Sequence, residues 1–329
     1  MQRRSAIHAL AALAFWQLTH SALARAAFAQ ADRWKSMLLS DHPLVGTIRD
    51  PMARRSATRE ALHAALRAAR YRLLGEVHDN PDHHDFQLDC LVALGEGGLR
   101  PAVAFEQLDR ERESVLQRLL ASGGATAEAV AEATGFDRKN WRWEFYRPLV
   151  EAALRYRMPI RAANLSRAAA GRVVNAGLDA LGEGRTSALR IESVWSEERE
   201  RVLRAIIVDA HCGALPDSIV PGMVLAQRAR DATLAEALID AGPDGAVLIT
   251  GNGHVRRDLG VPVYLSAARP GGPIVSVGLL EVEAGKTDPE AYLADSAGGE
   301  AQYDFVRFTP RWNRPDPCEK FKPPRASNP

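Results

Sequence analysis

Two glycine-flanked histidine motifs, each placed after a short apolar run, constrain the fold of this chain more than any other feature. The first run spans Tyr71 to Gly75 and leads into Glu76 and His78, and the second spans Ala246 to Thr250 and leads into His254. Short apolar runs are typical of buried strands, and α/β sheets bind ligands at the carboxyl ends of parallel strands. We therefore expect the two histidines to meet at one edge of a sheet.

Strand-like and helix-like segments alternate along the chain. Apolar runs predict strands at residues 44–48, 71–75, 102–105, 159–163, 246–250, 261–265 and 274–280. Periodic segments predict helices at residues 80–94, 109–120, 144–157 and 223–241, and a helical cap over residues 166–221. The predicted fold class is α/β, a mostly parallel central sheet with helices on both faces and a helical insertion.

The N-terminal residues have the layout of a secretory signal peptide. Arg3 and Arg4 precede an apolar stretch from Ala6 to Phe15, and small residues follow up to Ala29. A membrane anchor is the alternative, but the apolar stretch is shorter than the roughly 20 residues that a spanning helix needs. We expect a periplasmic or secreted protein with a signal peptide at 1–29, an α/β domain at 30–308 and an extended or disordered tail at 309–329.

Charge and cysteine content limit the function classes. The formal net charge is +1, and it becomes −2 once residues 1–29, with three arginines and no acidic residue, are removed. A near-neutral surface argues against nucleic acid as the partner. Cys90, Cys212 and Cys318 are too few for a disulfide framework and lack zinc or haem-attachment spacing, which leaves a single disulfide bridge open.

A third polar residue, Glu106, follows the apolar run from Ala102 to Phe105. A carboxylate at the end of a buried run needs a partner, because an unpaired buried charge is costly. Glu76 and His78 are two residues apart and so face the same side of an extended strand. With His254 and Glu106 they form a set that suits a divalent metal ion, in which Glu106 serves as a ligand or as the catalytic general base. The alternative for each histidine motif is a capped turn.

Further residues are predicted to support this site. His84, in the first turn of the next helix, and Asp231, on the helix before the second motif, are candidates to orient the ligands. Arg256 is a candidate to bind a carboxylate or phosphate of a substrate. Arg230 is a candidate cofactor-binding residue that could reach the same crevice, and a surface ion pair with Asp231 is the alternative. Tyr146 belongs to an aromatic cluster that favours core packing, although a tyrosine can also serve as an axial haem ligand.

A family resemblance rests on five motifs, which are Leu73 to Asn80, Val103 to Glu106, Trp143 to Pro148, Ala162 to Asn164 and Gly251 to His254. Together they resemble the ChaN-like family of the EreA, TraB and Tiki superfamily, from about Pro43 to Glu281. The resemblance implies haem binding in iron uptake, whereas Tiki relatives are metal-dependent proteases and EreA relatives hydrolyse a macrolide ester. The positions carried over are Glu76, His78, Glu106, His254, Arg230 and Asp231.

Two functions follow as hypotheses. The first is an exported protein that binds haem or iron in iron uptake, and the second is a divalent-metal-dependent hydrolase of peptides or esters. A protein that kept the scaffold without the chemistry is the third option. The expected cofactor is haem or a divalent metal ion, the expected partner is haem or another small molecule, and a homodimer is left open.

Overall fold

The computed structural model describes residues 33–182, 184–188, 190–239, 242–269 and 271–321. The chain divides into two units, residues 1–35 and residues 36–329, and every helix and strand of the described residues belongs to the second. The predicted signal peptide and residues 322–329 of the predicted tail lie outside the described residues. Within the described ranges, no helix has the length and apolar character needed to cross a membrane.

An eight-stranded sheet forms the centre of the domain. Its strands are β1 (Ile48–Asp50), β2 (Arg55–Ala57), β3 (Tyr71–Leu74), β4 (Ala102–Asp109), β5 (Ile160–Asn164), β6 (Ala246–Ile249), β7 (Ile274–Glu281) and β8 (Phe305–Thr309). Their order across the sheet is β2-β1-β8-β7-β3-β6-β4-β5. The six strands from β8 to β5 run parallel, and β1 is antiparallel to both of its neighbours. The predicted α/β class with a mostly parallel sheet is confirmed.

Helices connect the parallel strands and cover the sheet. They are α1 (Arg59–Ala68), α2 (Pro81–Glu96), α3 (Glu113–Ala121), α4 (Ala127–Thr134), α5 (Trp143–Arg155), α6 (Arg167–Ala176), α7 (Arg185–Ala188), α8 (Glu197–Ala210), α9 (Val220–Ile239) and α10 (Val261–Ala268). The stretch predicted as a helical cap, residues 166–221, contains α6, α7, α8 and the start of α9. Short 3-10 helices lie at Arg110–Arg112, Leu178–Leu181, Pro289–Leu293, Ala297–Gly299 and Pro317–Phe321.

Both faces of the sheet are buried, because alternate residues of each strand enter different cores. Leu73 of β3 packs with side chains of α6, α9 and α10, whereas the next residue, Leu74, packs with side chains of α1, α2 and α5. Leu248 and Ile249 of β6 divide in the same way. Burying a leucine side chain contributes about 1.5–3 kcal/mol, so these two cores hold the strands in fixed register.

Strands β3, β6 and β4 are adjacent in the middle of the sheet, and their register places their carboxyl ends side by side. Leu74 of β3 pairs with Ile249 of β6, which in turn pairs with Phe105 of β4. The two histidine motifs and Glu106 follow these three residues directly. This confirms that the sequence motifs reach one edge of the sheet.

The helix after the first motif begins where the sequence predicts. The side chain of Asn80 accepts a hydrogen bond from the backbone N–H of Asp82, and Pro81 occupies the first turn, where its missing N–H is not needed. The helix runs two residues beyond the predicted end at Leu94. Its start fixes the direction in which the chain leaves the loop that carries His78.

One predicted strand is wrong. Residues 261–265 belong to helix α10, which begins at Val261 with Pro262 in its first turn. The segment is buried along its first five residues, so it shows no polar face that would reveal a helical period. Strands β2 and β8 were not predicted from the sequence, and the first strand was predicted at residues 44–48, whereas β1 covers Ile48–Asp50.

The C-terminal segment, residues 310–318, is anchored to the domain by backbone hydrogen bonds, ion pairs and a disulfide bond. Arg314 forms ion pairs with Glu281 at the end of β7 and with Asp79, the residue after His78. Cys318 forms a disulfide bond with Cys212 in the turn after α8. Between β8 and the last 3-10 helix, Arg311 pairs with Leu38 in an isolated β-bridge and the other residues form no regular element. The bridge that the sequence left open is therefore Cys212–Cys318, and Cys90 is a buried free thiol.

Candidate functional site

The ends of β3, β4 and β6 bring Glu76, His78, Glu106 and His254 together. The pairing of β4 with β5 is regular as far as Phe105 and then shifts before Asp109, so Glu106 lies in a bulged or irregular stretch of the strand. Bulges are frequent beside binding sites because they re-aim side chains. Here the irregular stretch turns the Glu106 carboxylate towards the second histidine motif, where it accepts a hydrogen bond from the N–H of Gly251 at 2.9 Å.

The two glycines that open the motifs interlock. A Cβ on Gly75 would lie 2.3 Å from Oδ1 of Asn252, and a Cβ on Gly251 would lie 2.9 and 3.0 Å from Cε1 and Nε2 of His78. Neither glycine has a positive φ angle. Close approach of the two loops, rather than an unusual backbone angle, therefore requires glycine at both positions.

The Glu76 carboxylate is buried and fully engaged. Its Oε1 atom accepts hydrogen bonds from the Tyr146 hydroxyl at 2.5 Å and from Nδ1 of His78 at 2.8 Å, and its Oε2 atom accepts one from Gln87 at 2.8 Å. Nδ1 of His84 lies 3.5 Å from Oε2. Burial alone would raise the pKa of Glu76, but the electrostatic interaction with His84 and the hydrogen bond from His78 outweigh it and lower this pKa to about 2. Glu76 is thus a permanent carboxylate that orients His78.

His78 is the partly exposed member of the site. Its side chain is 44% accessible to solvent, and the imidazole is nearly perpendicular to the ring of Trp141, with centroids 4.8 Å apart. Partial burial opposes its charged form, but the bond to Glu76 and the charge of Glu106 outweigh it and raise the pKa of His78. Because Nδ1 is held by Glu76, the imidazole offers Nε2, which has no hydrogen-bond partner among the described residues.

His254 has the opposite surroundings. Its side chain is only 10% accessible, with Nδ1 2.6 Å from Oδ1 of Asp231 and Nε2 3.4 Å from Oε1 of Glu106. Burial opposes protonation, but the two carboxylates outweigh it and raise the pKa of His254 to about 10. Burial also opposes ionisation of Glu106, but the charge of His254 holds its pKa well below the usual range. The result is a buried imidazolium between two carboxylates.

A pocket of about 410 Å³ opens beside His78. Volumes of 300–1,000 Å³ are usual for small-molecule sites. The pocket is formed by the ends of β4 and β5, the first turn of α6, the side of α9 and the loop before α5. The side chains that matter for its chemistry are His78, Trp141, Gln107, Asp109, Asn164, Arg167 and Arg230.

Some of the predicted site residues lie outside this pocket. The guanidinium group of Arg256 is buried and makes two hydrogen bonds to Asp258, so it is not available to a ligand beside His78. Tyr146 is fully buried, and its hydroxyl is used by Glu76. Asp231 and His84 lie directly behind the histidines, where the former holds His254 and the latter contacts the backbone oxygen of His78 at 3.0 Å. Of the predicted cofactor residues, Arg230 lines the pocket.

Sequence reasoning missed several residues of the site. Gln227 lies on α9 one turn before Asp231, and its side chain is 3.1 Å from Nδ1 of His254. Gln107 and Asn164 end the same apolar runs that were used to predict strands, which is a signal that could have found them. Arg167, at the first position of α6, carried no sequence signal.

The metal-ion hypothesis is unconfirmed. Within the ranges described, no three histidine, cysteine, aspartate or glutamate side chains are arranged to hold a metal ion. Both oxygens of Glu76 and of Glu106 accept hydrogen bonds or charge contacts from neighbouring side chains. With a pKa held so low, Glu106 is also a weak general base, because proton abstraction at neutral pH favours a pKa near 7.

Comparison with solved structures shows the same fold. The structure titled "Cofacial heme binding to ChaN of Campylobacter jejuni" matches with a TM-score of 0.63 and 22% sequence identity, over 79% of this chain and 95% of that one. The type III effector HopBA1 matches at 12% identity over 76% and 92% of the chains, with a TM-score of 0.36. RRSP, a toxin effector domain from Vibrio vulnificus, matches at 16% identity over 70% and 37%, with a TM-score of 0.39. The last two are too distant to inform the site.

Comparison of sequences identifies the family. No curated protein matches the chain. A family model described as "Haem-binding uptake, Tiki superfamily, ChaN" matches residues 62–265, which include both histidine motifs and Glu106. This range covers more than half of the sequence, and the chain therefore belongs to the ChaN family of haem-binding uptake proteins in the Tiki superfamily.

Proposed function

We propose that this protein binds haem in the pocket beside His78, as an exported protein of iron uptake. The proposal rests on the hydrogen bonding and position of His78 in a chain of this family. Its Nδ1 is fixed by Glu76, its Nε2 has no partner, and the ring borders a pocket. A carboxylate on one nitrogen is the usual arrangement of a metal-ligating histidine, because it orients the ring and raises its basicity.

The other pocket residues fit the parts of a haem group. The ring of Trp141 gives a flat apolar wall next to His78. Arg167 and Arg230 form no salt bridge with a described residue and can bind the two propionates. When bound, the haem iron would supply the redox and ligand chemistry. The protein's part would be to offer the His78 imidazole, to orient it through Glu76 and to bind the propionates with Arg167 and Arg230.

Export is supported by the disulfide between Cys212 and Cys318, since such bonds persist in oxidising compartments and are rare in the cytosol. The signal peptide predicted at residues 1–29 agrees with that placement. A periplasmic or secreted location follows as part of the proposal. The hydrolase alternative is not favoured, because the acids that it would use are already committed to hydrogen bonds.

The test is a hemin titration of the purified oxidised protein, followed by the Soret band. We expect saturable binding by the wild type and at least tenfold weaker binding by His78→Ala. The control is His42→Ala, which removes a half-buried histidine outside the pocket. A wild-type spectrum that does not change at micromolar hemin would overturn the haem proposal, and equal affinity of His78→Ala and wild type would exclude His78 as the ligand.

A further inference from the structure

The floor of the pocket is more polar than a haem ring requires. Three side chains from the ends of β4 and β5 lie there, Gln107, Asp109 and Asn164, and we call them the acceptor floor. Asp109 and Asn164 are partners across the two strands. Haem propionates need hydrogen-bond donors, so the acceptor floor calls for a different ligand group.

The amide groups of the acceptor floor have a defined orientation. The side-chain nitrogen of Gln107 donates to Oε1 of Glu76 at 3.4 Å, and that of Asn164 donates to Oδ1 of Asp109 at 3.5 Å. An ionised carboxylate can only accept hydrogen bonds, so the amide nitrogens must face the carboxylates. The amide oxygens of Gln107 and Asn164 are then left without a partner.

These two unpartnered oxygens are a cost to the protein alone. Gln107 is 5% and Asn164 8% accessible, so neither side chain is freely hydrated. A buried acceptor without a hydrogen bond costs about 1–3 kcal/mol. Neighbouring atoms cover both oxygens, so a ligand in the pocket can reach them only if these side chains turn towards it when the ligand binds. A donor group supplied by a ligand would remove the cost.

The charged side chains of the pocket further restrict the kind of ligand that it can bind. Asp109 adds a third acceptor and a negative charge, on which the nearby charge of Arg230 acts without a direct salt bridge. Arg167 and Arg230 line the same pocket and supply two positive charges. A pocket with an anionic acceptor group and a pair of cations is complementary to a molecule that carries both charges itself.

We propose that the pocket binds a free α-amino acid, with its ammonium group on the acceptor floor and its carboxylate on Arg167 and Arg230. An ammonium group has three N–H donors, which match the two amide oxygens and the Asp109 carboxylate. A guanidinium group binds a carboxylate through parallel hydrogen bonds. This proposal uses the haem pocket but does not rest on haem binding, and the two ligands should compete.

The test is isothermal titration of the wild-type protein with L-alanine and with two probes that each lack one half of it. Propionate lacks the ammonium group and ethylamine lacks the carboxylate. We expect alanine to bind and each half-probe to bind at least tenfold more weakly. Glucose is the fourth probe, since a sugar also offers several donors. Equal affinities for alanine and the half-probes, preferential binding of glucose, or no binding of alanine at millimolar concentration would overturn the proposal.

Variants locate the subsite. Asp109→Asn and Arg230→Gln should each weaken alanine binding at least tenfold. The matched controls are Asp209→Asn and Arg204→Gln, which remove the same charges from exposed positions on α8 and should change nothing. Unchanged affinity in Asp109→Asn would contradict the acceptor floor. The hemin titration of the wild type measures haem binding separately. If alanine does not bind, the haem proposal still stands, and if hemin does not bind, the amino-acid proposal still stands.

Discussion

The two histidine motifs look alike in the sequence, and both follow a buried strand, yet the structure gives them different surroundings. His78 keeps one nitrogen unpaired at the wall of a pocket, whereas both nitrogens of His254 face carboxylates in the interior. A short sequence motif can therefore place a histidine at the end of a strand. Whether that histidine is charged or free to bind a ligand depends on side chains from distant elements. His254 owes its charge to Glu106 and Asp231, which lie 148 and 23 residues away in the chain.

The largest expected effect is a difference in stability between variants of the two histidines. His254→Ala removes the imidazolium between Glu106 and Asp231 and leaves two buried carboxylates together, which should lower the free energy of unfolding by about 3–5 kcal/mol. His78→Ala should cost about 1 kcal/mol or less, because the side chain is partly exposed and Glu76 keeps its other donors. Urea unfolding at pH 7 measures both. Losses within 1 kcal/mol of each other would contradict the contrast.

The pH dependence of stability tests the same charges without a substitution. The pKa of His254 is about 10 in the folded chain against 6.5 unfolded, so its contribution is complete below pH 6.5 and is lost as pH rises through 10. The pKa of Glu76 is about 2 against 4.5, so its contribution is complete above pH 4.5 and is lost as pH falls through 2. Each group changes stability by at most about 1.4 kcal/mol per pH unit.

Urea unfolding across this range should therefore show greatest stability between about pH 4.5 and 6.5 and a decline above it. In His254→Gln the alkaline decline should become shallower, because the group with the raised pKa is absent. The same alkaline slope in both proteins would show that other groups cause it.

A third comparison concerns the glycines of the second motif. Gly251→Ala would push against the His78 ring and should weaken hemin binding about tenfold, which corresponds to about 1.4 kcal/mol. Gly253→Ala is the matched control, since nothing lies within 4 Å of a Cβ there. The measurement is the hemin titration. Equal affinities of the two variants would show that the second motif does not control the position of His78.

The smallest expected effect concerns the ring beside His78. Trp141→Leu removes an aromatic contact of the kind that contributes about 0.5–1.5 kcal/mol, so hemin affinity should fall between about twofold and tenfold. In the His78→Ala background the same change should have a smaller effect, because the contact is already lost. Additive effects in the double variant would show that Trp141 acts independently of His78.

Much of the fold could be predicted because strands β3, β4 and β6 are buried on both sides and read as short apolar runs. The same property misled the prediction at residues 261–265, where a helix is buried along its first turns and looks like a strand. Strand β2 is largely exposed and only three residues long, so it gave no apolar signal. Periodicity identifies elements with one polar face and fails where burial is complete or absent.

The sequence was sufficient to predict where the site lies, but not the role of each residue in it. The sequence does not reveal that β6 lies between β3 and β4. This strand order brings Glu106 next to the second motif. Arg256 illustrates the limit, since its partner Asp258 lies two residues away and was visible in the sequence, but the burial that fixes the pair was not. Hydrogen-bond partners decide which side chain remains available to a ligand.

The ion pair between Arg314 and Asp79 affects where this protein can be shortened. A chain ending at Thr309 would keep all eight strands and both cores, and by the sheet alone it would look complete. It would nevertheless lose the ion pair between Arg314 and Asp79, the residue after His78. It would also lose Cys318, which forms the disulfide bond with Cys212. Residues 310–318 thus stabilise the loop that carries His78, although they add no strand to the sheet.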